Sequence, residues 1–243
     1  MPTPRFYIPV PLAAPARLAL PAAAAHHAAR VLRLQVGDEL TLFNGVGGEY
    51  AARIVVIGKQ EVTVDIGRHD PVERESLLDV TLVQALSSAE RMDFTIQKAV
   101  ELGVTQIVPV ESERCVLRLQ GERAAKRVQH WQQVVISACE QCGRNRVPKI
   151  GPITVLSVWL ASAKRDTQRW LLLPEADTSL RDLARPLQPV ELLVGPEGGF
   201  IDAEIEAAQR QGCQPLRLGP RVLRTETVAP AALAAMQVLW GDF

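Results

Sequence analysis

Over roughly the first seventy positions the apolar residues recur at short spacing in brief runs. From about Leu77 the rhythm changes to longer apolar strands separated by segments with helical periodicity. In the first stretch Phe6–Val10, Leu40–Phe43, Tyr50–Ile57 and Val62–Ile66 read as strands. Asn44-Gly45-Val46-Gly47-Gly48 lies between two of them as a hairpin signal, because Asn-Gly tolerates positive φ. Ala23–Leu34 reads as a short amphipathic helix, Val36–Glu39 as a turn, and the polar, proline-bearing stretch Gly67–Ser76 as a linker. Beyond it, strands are expected at 79–86, 107–110, 170–173, 190–194 and 215–218. Helices are expected at about 87–102, 122–141, 202–211 and 226–240. Ser87 and Glu90 have the spacing of a capping box, Gly103 suits a helix end, and Thr225 suits an N-cap. Strand–helix alternation of this kind predicts an α/β fold with a mostly parallel sheet and helices on both faces. The expected organisation is a small β-rich module over residues 1–70 followed by an α/β domain over 77–243.

Charge alters this picture in one respect. Lysines and arginines number 27, as do aspartates and glutamates, so a nucleic-acid partner would have to be held by local rather than global positive charge. No apolar run has the length of a membrane span. Pro9, Pro11, Pro15, Pro21 and Arg17 interrupt the alanine-rich N-terminal stretch, which argues against a secretory signal. Four cysteines form no dense disulfide framework, and the cytoplasm is the expected location.

Several chemistries lose weight because their signatures are missing: no G-x-x-x-x-G-K-[ST] loop, no G-x-S-x-G elbow, no H-E-x-x-H and no G-x-G-x-x-G. Cys139-Glu140-Gln141-Cys142 is a C-x-x-C. It falls at the C-terminal end of an expected helix, however, where the dipole disfavours a thiolate. Cys115 and Cys213 are too isolated to complete a zinc site, and His26, His27, His69 and His130 make no cluster, so no metal is expected.

The informative segments lie near the end. Leu192-Leu193-Val194 runs into Gly195-Pro196-Glu197-Gly198-Gly199-Phe200, and a helix should begin at Asp202. A turn needs one or two glycines. A third suggests backbone amides that approach a ligand beyond the carboxyl end of a strand. Leu216-Arg217-Leu218-Gly219-Pro220-Arg221-Val222-Leu223-Arg224-Thr225-Glu226-Thr227 repeats the theme. Glu226 suits a helix start, but cations at Arg221 and Arg224 oppose the helix dipole, so an anionic group is expected to compensate them.

These two loops resemble those of the trefoil-knotted SPOUT methyltransferases, and within them the bacterial enzymes that methylate N3 of a uridine in small-subunit (16S) ribosomal RNA. The likeness extends to Gln97-Lys98-Ala99-Val100-Glu101-Leu102-Gly103-Val104, Glu140-Gln141-Cys142-Gly143-Arg144, Arg5-Phe6, His26-His27, Val31-Leu32-Arg33-Leu34 and Gly37-Asp38. The resemblance implies a PUA-like RNA-binding domain before a SPOUT domain, a homodimer, and S-adenosylmethionine as methyl donor. It also implies a cofactor bent in the knot against three loops, contributed by Leu173 and Glu175; by Gly195, Pro196, Glu197, Gly198 and Gly199; and by Leu218, Gly219, Leu223 and Arg224.

For methyl transfer to an imide nitrogen, Arg224 is expected to stabilise charge developing on the uracil carbonyls, and Glu226 to orient Arg224 or the substrate. No residue stands out as the base. The RNA contacts are expected at Arg5, Arg30, Arg33, Arg114 and Arg144. The last two lie in a stretch, 114–149, holding eight arginines and lysines against Glu122 and Glu140 alone. The partner would be 16S ribosomal RNA or the small ribosomal subunit. Two other readings remain open at this point: a same-fold enzyme acting on the ribose 2′-hydroxyl, and a non-catalytic RNA-binding assembly protein.

Overall fold

The computed structural model describes residues 3–59, 61–162 and 166–243. The chain divides into two compact units, one of residues up to 75 together with 139–147, the other of 76–138 with 148–243.

The first unit is a five-stranded sheet built from β1 (Arg5–Tyr7), β2 (Ala16–Ala19), β3 (Glu39–Phe43), β4 (Glu49–Ile57) and β5 (Val62–Asp70), in the order β1-β3-β4-β5-β2. β3 and β4 form the hairpin that Asn44–Gly48 announces, with Gly45, Gly47 and Gly48 at positive φ. Phe6, Ile8, Leu40, Leu42, Ile54 and Val64 fill its core. The edge strand β2 is absent from the sequence reading because prolines flank it. Pro15 and Pro21 stand just outside its ends, where no ladder amide is needed.

The expected helix at 23–34 is shorter than its pattern suggested and widens in its second half. A single α turn, α1 (Ala22–His26), continues as a π-helical turn over His27–Val31, and Arg33 at φ 55° ends it. The segment 139–147 joins this unit although it opens as the end of a long helix. Arg5 donates to the Gly143 carbonyl and, at 2.6 Å, to Asn145 Oδ1, while Arg144 pairs with Glu75. Only tertiary partners reveal that arrangement.

The second unit is a parallel sheet: β6 (Val80–Ala85), β7 (Gln106–Glu111), β8 (Lys149–Ile150), β9 (Thr154–Val155), β10 (Gln168–Leu172), β11 (Val190–Val194) and β12 (Cys213–Leu216). Its order is β12-β10-β11-β6-β7-β8, with β9 also on β7. The helices are α2 (Ala89–Glu101), α3 (Gly121–Cys142), α4 (Leu156–Ala161), α5 (Asp202–Arg210) and α6 (Thr225–Trp240). All five residues of β11 are buried, which is why its apolar residues occupy both faces rather than alternating, with Glu191 the one polar residue among them. On α2 the buried residues are Met92, Thr95, Ile96, Ala99 and Val100, one face of a 3.6-residue period.

Arg169 on β10 lies opposite Glu191 on β11, and the pair is buried at 2.8 Å. Arg169 also donates to the Leu160 carbonyl and stacks 4.2 Å from the Trp159 ring centroid. A register slip would strand both charges, so the pair fixes the alignment of the two strands whose tips build the site.

Both expected helix caps are corrected. Ser88, not Ser87, is the N-cap of α2, and no serine side chain caps it; the Ser87 hydroxyl is buried without a partner. The N-cap of α6 is Arg224, and Thr225 is its first helical residue.

Candidate active site

β11 and β12 are consecutive strands in sequence but not neighbours in space, because β10 lies between them and β12 forms the edge of the sheet. The loop after Leu172 is thereby inserted between the two glycine-bearing loops, and the three strand tips enclose a cleft of about 480 Å³. A smaller hollow of about 40 Å³ continues from it beneath Leu218 and Gly219. Leu172, Leu173 and Leu223 border both spaces.

The glycine loop is held closely. Gly199 adopts φ 68°, which favours glycine, and its amide donates to the Pro196 carbonyl. A Cβ on Gly195 would sit 3.2 Å from the Phe200 ring, so the ring covers the backbone at that point. Thr225 donates its hydroxyl to the Gly195 carbonyl at 2.6 Å and accepts from Gln84 Nε2 at 3.2 Å. That bond joins the start of α6 to the tip of β11, and it is what Thr225 does in place of capping. Arg114, from the loop after β7, donates to the Gly198 carbonyl at 3.0 Å.

The charges in the cleft form one network. Glu197 Oε1 accepts the Ser88 amide at 2.9 Å and Arg91 Nη1 at 3.0 Å. The cap of α2 therefore comes from a loop more than a hundred residues away. Arg91 Nε is also 3.6 Å from a carboxylate oxygen of Glu226. Oε2 of Glu197 and Oε2 of Glu226 are both buried without a hydrogen-bond donor. Burial alone would raise the Glu197 carboxyl, but the amides of Ser88 and of Glu197 itself, with the Arg91 guanidinium, outweigh it. The group is held below the ordinary carboxylate value.

Its contribution to stability is thus complete above that ordinary value and is lost as pH falls through the lowered one. Glu197→Gln is expected to cost about 1 kcal/mol at neutral pH, the size of a helix cap. It should also flatten the acid arm of the melting-temperature profile, as scanning calorimetry from neutral to acid pH would read.

Cys139 is buried, and burial pushes its thiol up to about 12, an inert group. Among the described residues no group of three or more His, Cys, Asp or Glu could hold a metal ion, and no helix is long and apolar enough to cross a membrane.

Comparison with known proteins decides the family. An RNA methyltransferase domain matches residues 73–237, and an RNA methyltransferase PUA domain matches residues 20–67. The chain belongs to the RNA methyltransferase family. A relative of this methyltransferase from Buchnera aphidicola subsp. Schizaphis graminum, named ribosomal RNA small subunit methyltransferase E, is 36% identical. That match covers 98% of this chain and 97% of the relative. A relative of the same name from Mycobacterium bovis is 33% identical over 88% of this chain and 83% of its own.

Among solved structures, a ribosomal RNA small subunit methyltransferase E from Neisseria gonorrhoeae, bound to S-adenosyl methionine, superposes with a TM-score of 0.94. It is 44% identical over 99% of each chain. A putative methyltransferase from Legionella pneumophila, also with bound cofactor, superposes with a TM-score of 0.96 at 40% identity over the full length of both. The fold class is accordingly a SPOUT methyltransferase domain preceded by a PUA-like β domain.

The expected cofactor residues of this methyltransferase are distributed as follows. Leu173, Gly195, Pro196, Glu197, Gly198, Gly199, Leu223 and Arg224 line the main cleft, with Glu226. Leu218 and Gly219 line the smaller hollow. Glu175 is exposed and borders neither space. Arg91, Phe200 and Thr225 also line the cleft and were not anticipated. Nothing local marks Arg91, since its partners lie about a hundred residues away or more.

Of the basic residues expected at RNA, Arg30, Arg33 and Arg114 are exposed. Arg5 is occupied by Glu49 at 2.5 Å and Asn145, with its guanidinium 5.0 Å from the Phe43 ring centroid. Arg144 is 4% exposed and paired with Glu75. These two serve the first unit's packing. The sequence alone could not separate them from surface cations, because their carboxylate partners are distant in the chain.

Proposed function

We propose that this methyltransferase transfers the methyl group of S-adenosylmethionine to N3 of a uridine in 16S ribosomal RNA. The observation that carries the reading is the cleft at the tips of β10, β11 and β12. It combines a close-packed glycine loop, apolar walls and two donor-less carboxylate oxygens with an exposed Arg224 at the N-cap of α6. Apolar walls suit an adenine ring, and the donor-less Glu197 oxygen suits a ligand carrying a sulfonium and an ammonium. Leu172, Leu173, Leu223 and the glycine loop would hold the donor, which supplies an electrophilic methyl group. End-to-end similarity to relatives bearing the ribosomal name supports the choice of substrate.

The enzyme acts in the cytoplasm, where its RNA is made. The exposed apolar residues Phe94 on α2, with Val238, Leu239 and Phe243 at the end of the chain, support a homodimer. Sedimentation equilibrium is expected to give twice the chain mass.

The direct test uses small subunits and naked 16S RNA from a strain lacking this protein, incubated with enzyme and labelled donor. Mass spectrometry of digested RNA is expected to show a single N3-methyluridine. A methyl group on ribose, or no transfer with donor bound, would replace the reading with one of its alternatives. Arg30, Arg33 and Arg114 are the proposed phosphate contacts. RNA affinity is expected to fall steeply with salt, and each Arg→Ala change should lower the slope by about one unit.

A further inference from the structure

We propose that Glu226 accepts the proton released from the substrate nitrogen during methyl transfer, and that Arg91 is the positioning residue that holds it there. The inference rests on the reading above, in which the nitrogen is a uracil imide.

Five polar or charged side chains line the cleft: Arg91, Glu197, Arg224, Thr225 and Glu226. Neither arginine can accept a proton, and the Thr225 hydroxyl is already donated to the Gly195 carbonyl. That leaves two carboxylates, and their surroundings differ. Glu197 has one oxygen committed to the Ser88 amide and Arg91, bonds that weaken it as a base and make it part of the α2 cap. Glu226 has a single ion-pair contact, from its Oε2 to Arg91 Nε at 3.6 Å, too long for a hydrogen bond, so that buried oxygen faces the guanidinium but has no hydrogen-bond donor. A buried carboxylate oxygen without a donor is costly, and a substrate N–H would satisfy it.

Arg91 requires an explanation of its own. It lies in the first turn of α2, where the helix dipole opposes a cation. Glu197 compensates it from the glycine loop and Glu226 from the first turn of α6, so one guanidinium fixes both carboxylates relative to each other. Without it, two like charges would face one another in the cleft and separate.

The chemistry suits a weak base. A neutral imide holds its proton tightly, but as N3 bonds to the methyl carbon the N–H becomes strongly acidic. A carboxylate is then basic enough to take it. The new N–C bond forms as the C–S bond breaks, with its electron pair left on sulfur. The proton passes from N3 to Glu226 Oε2 and then to solvent, and the uracil is left neutral.

The test measures single-turnover methyl transfer at saturating donor and RNA, across pH, for Glu226→Gln, Glu197→Gln, Arg91→Met and Arg91→Lys, with donor affinity by calorimetry. Glu226→Gln should reduce the rate on the order of 10²-fold near neutrality, with donor affinity within a few-fold. The deficit should shrink in alkaline solution as the imide ionises unaided. Arg91→Met should show the same alkaline recovery with a smaller deficit, and Arg91→Lys should restore part of the rate. Glu197→Gln should instead lower melting temperature or donor affinity without alkaline recovery.

A Glu226→Gln deficit that is constant with pH, or an Arg91→Met enzyme whose defect lies wholly in donor affinity, would overturn the proposal. Those outcomes apply to a wild-type enzyme whose product is mapped as N3-methyluridine. A product mapped elsewhere would overturn the functional reading itself, and this inference with it.

Discussion

Arg224→Ala is expected to slow methyl transfer by about 10²–10³-fold at saturating RNA and donor, while the protein stays folded. Arg224 is the N-cap residue of α6, its backbone carbonyl accepts the amides of Thr227 and Val228, and its side chain is exposed at the cleft. The alanine variant keeps those backbone bonds, so the helix start should survive. Among the described residues no ion pair engages the guanidinium, although two carboxylates lie in the same cleft; both of those are set against Arg91. A cation beside a helix N-terminus and without a protein anion is poorly placed for stability. It is well placed for charge that appears only when substrate reacts. The cost should therefore fall on the rate at saturation, with donor affinity within a few-fold. Arg224→Lys should recover little, since a point charge on a flexible stem replaces a planar fork. A rate for Arg224→Ala equal to wild type would remove the residue from the chemistry.

Arg144→Met is expected to destabilise the first unit by about 3 kcal/mol, several degrees or more in melting temperature. The residue is buried, its guanidinium faces the Glu75 carboxylate, and methionine would leave that carboxylate in a partly closed site with its main counter-charge gone. The value is set at the low end of the range for broken buried pairs because Glu75 keeps 19% of its side-chain surface in solvent. Adding Glu75→Gln should restore part of the loss by removing the stranded charge. The salt dependence of RNA affinity should not change in either variant. A melting temperature equal to wild type, together with a salt slope reduced by one, would instead make Arg144 a phosphate contact.

The two arginines show what local sequence reveals of a residue's position and what it does not. The position of Arg224 at the cleft was legible because its neighbours in sequence are also its neighbours in space: a strand, a glycine, a loop and a helix start in immediate succession. The glycine loop at 195–199 was legible for the same reason, and so was β11, whose apolar residues on both sides of Glu191 record burial on both faces. Arg144 and Arg5 looked like any basic surface residues, since charge in a sequence carries no label for its partner. Thr225 and Ser87 looked like caps because local spacing fits capping. The caps failed when distant groups, Gly195 and Glu197, offered better-placed bonds.

The sequence by itself determined the alternation of elements, the hairpin, the two loops that line the cleft and its hollow and, through its resemblance, the class of enzyme. These are properties of periodicity and local backbone freedom, which act over a few residues. The tertiary structure alone decided that β10 separates β11 from β12, that 139–147 folds back into the first unit, and that Arg91 draws Glu197 and Glu226 together. Each depends on groups tens to more than a hundred positions apart meeting where water is largely excluded. There a charge or an amide must find whichever partner the fold delivers.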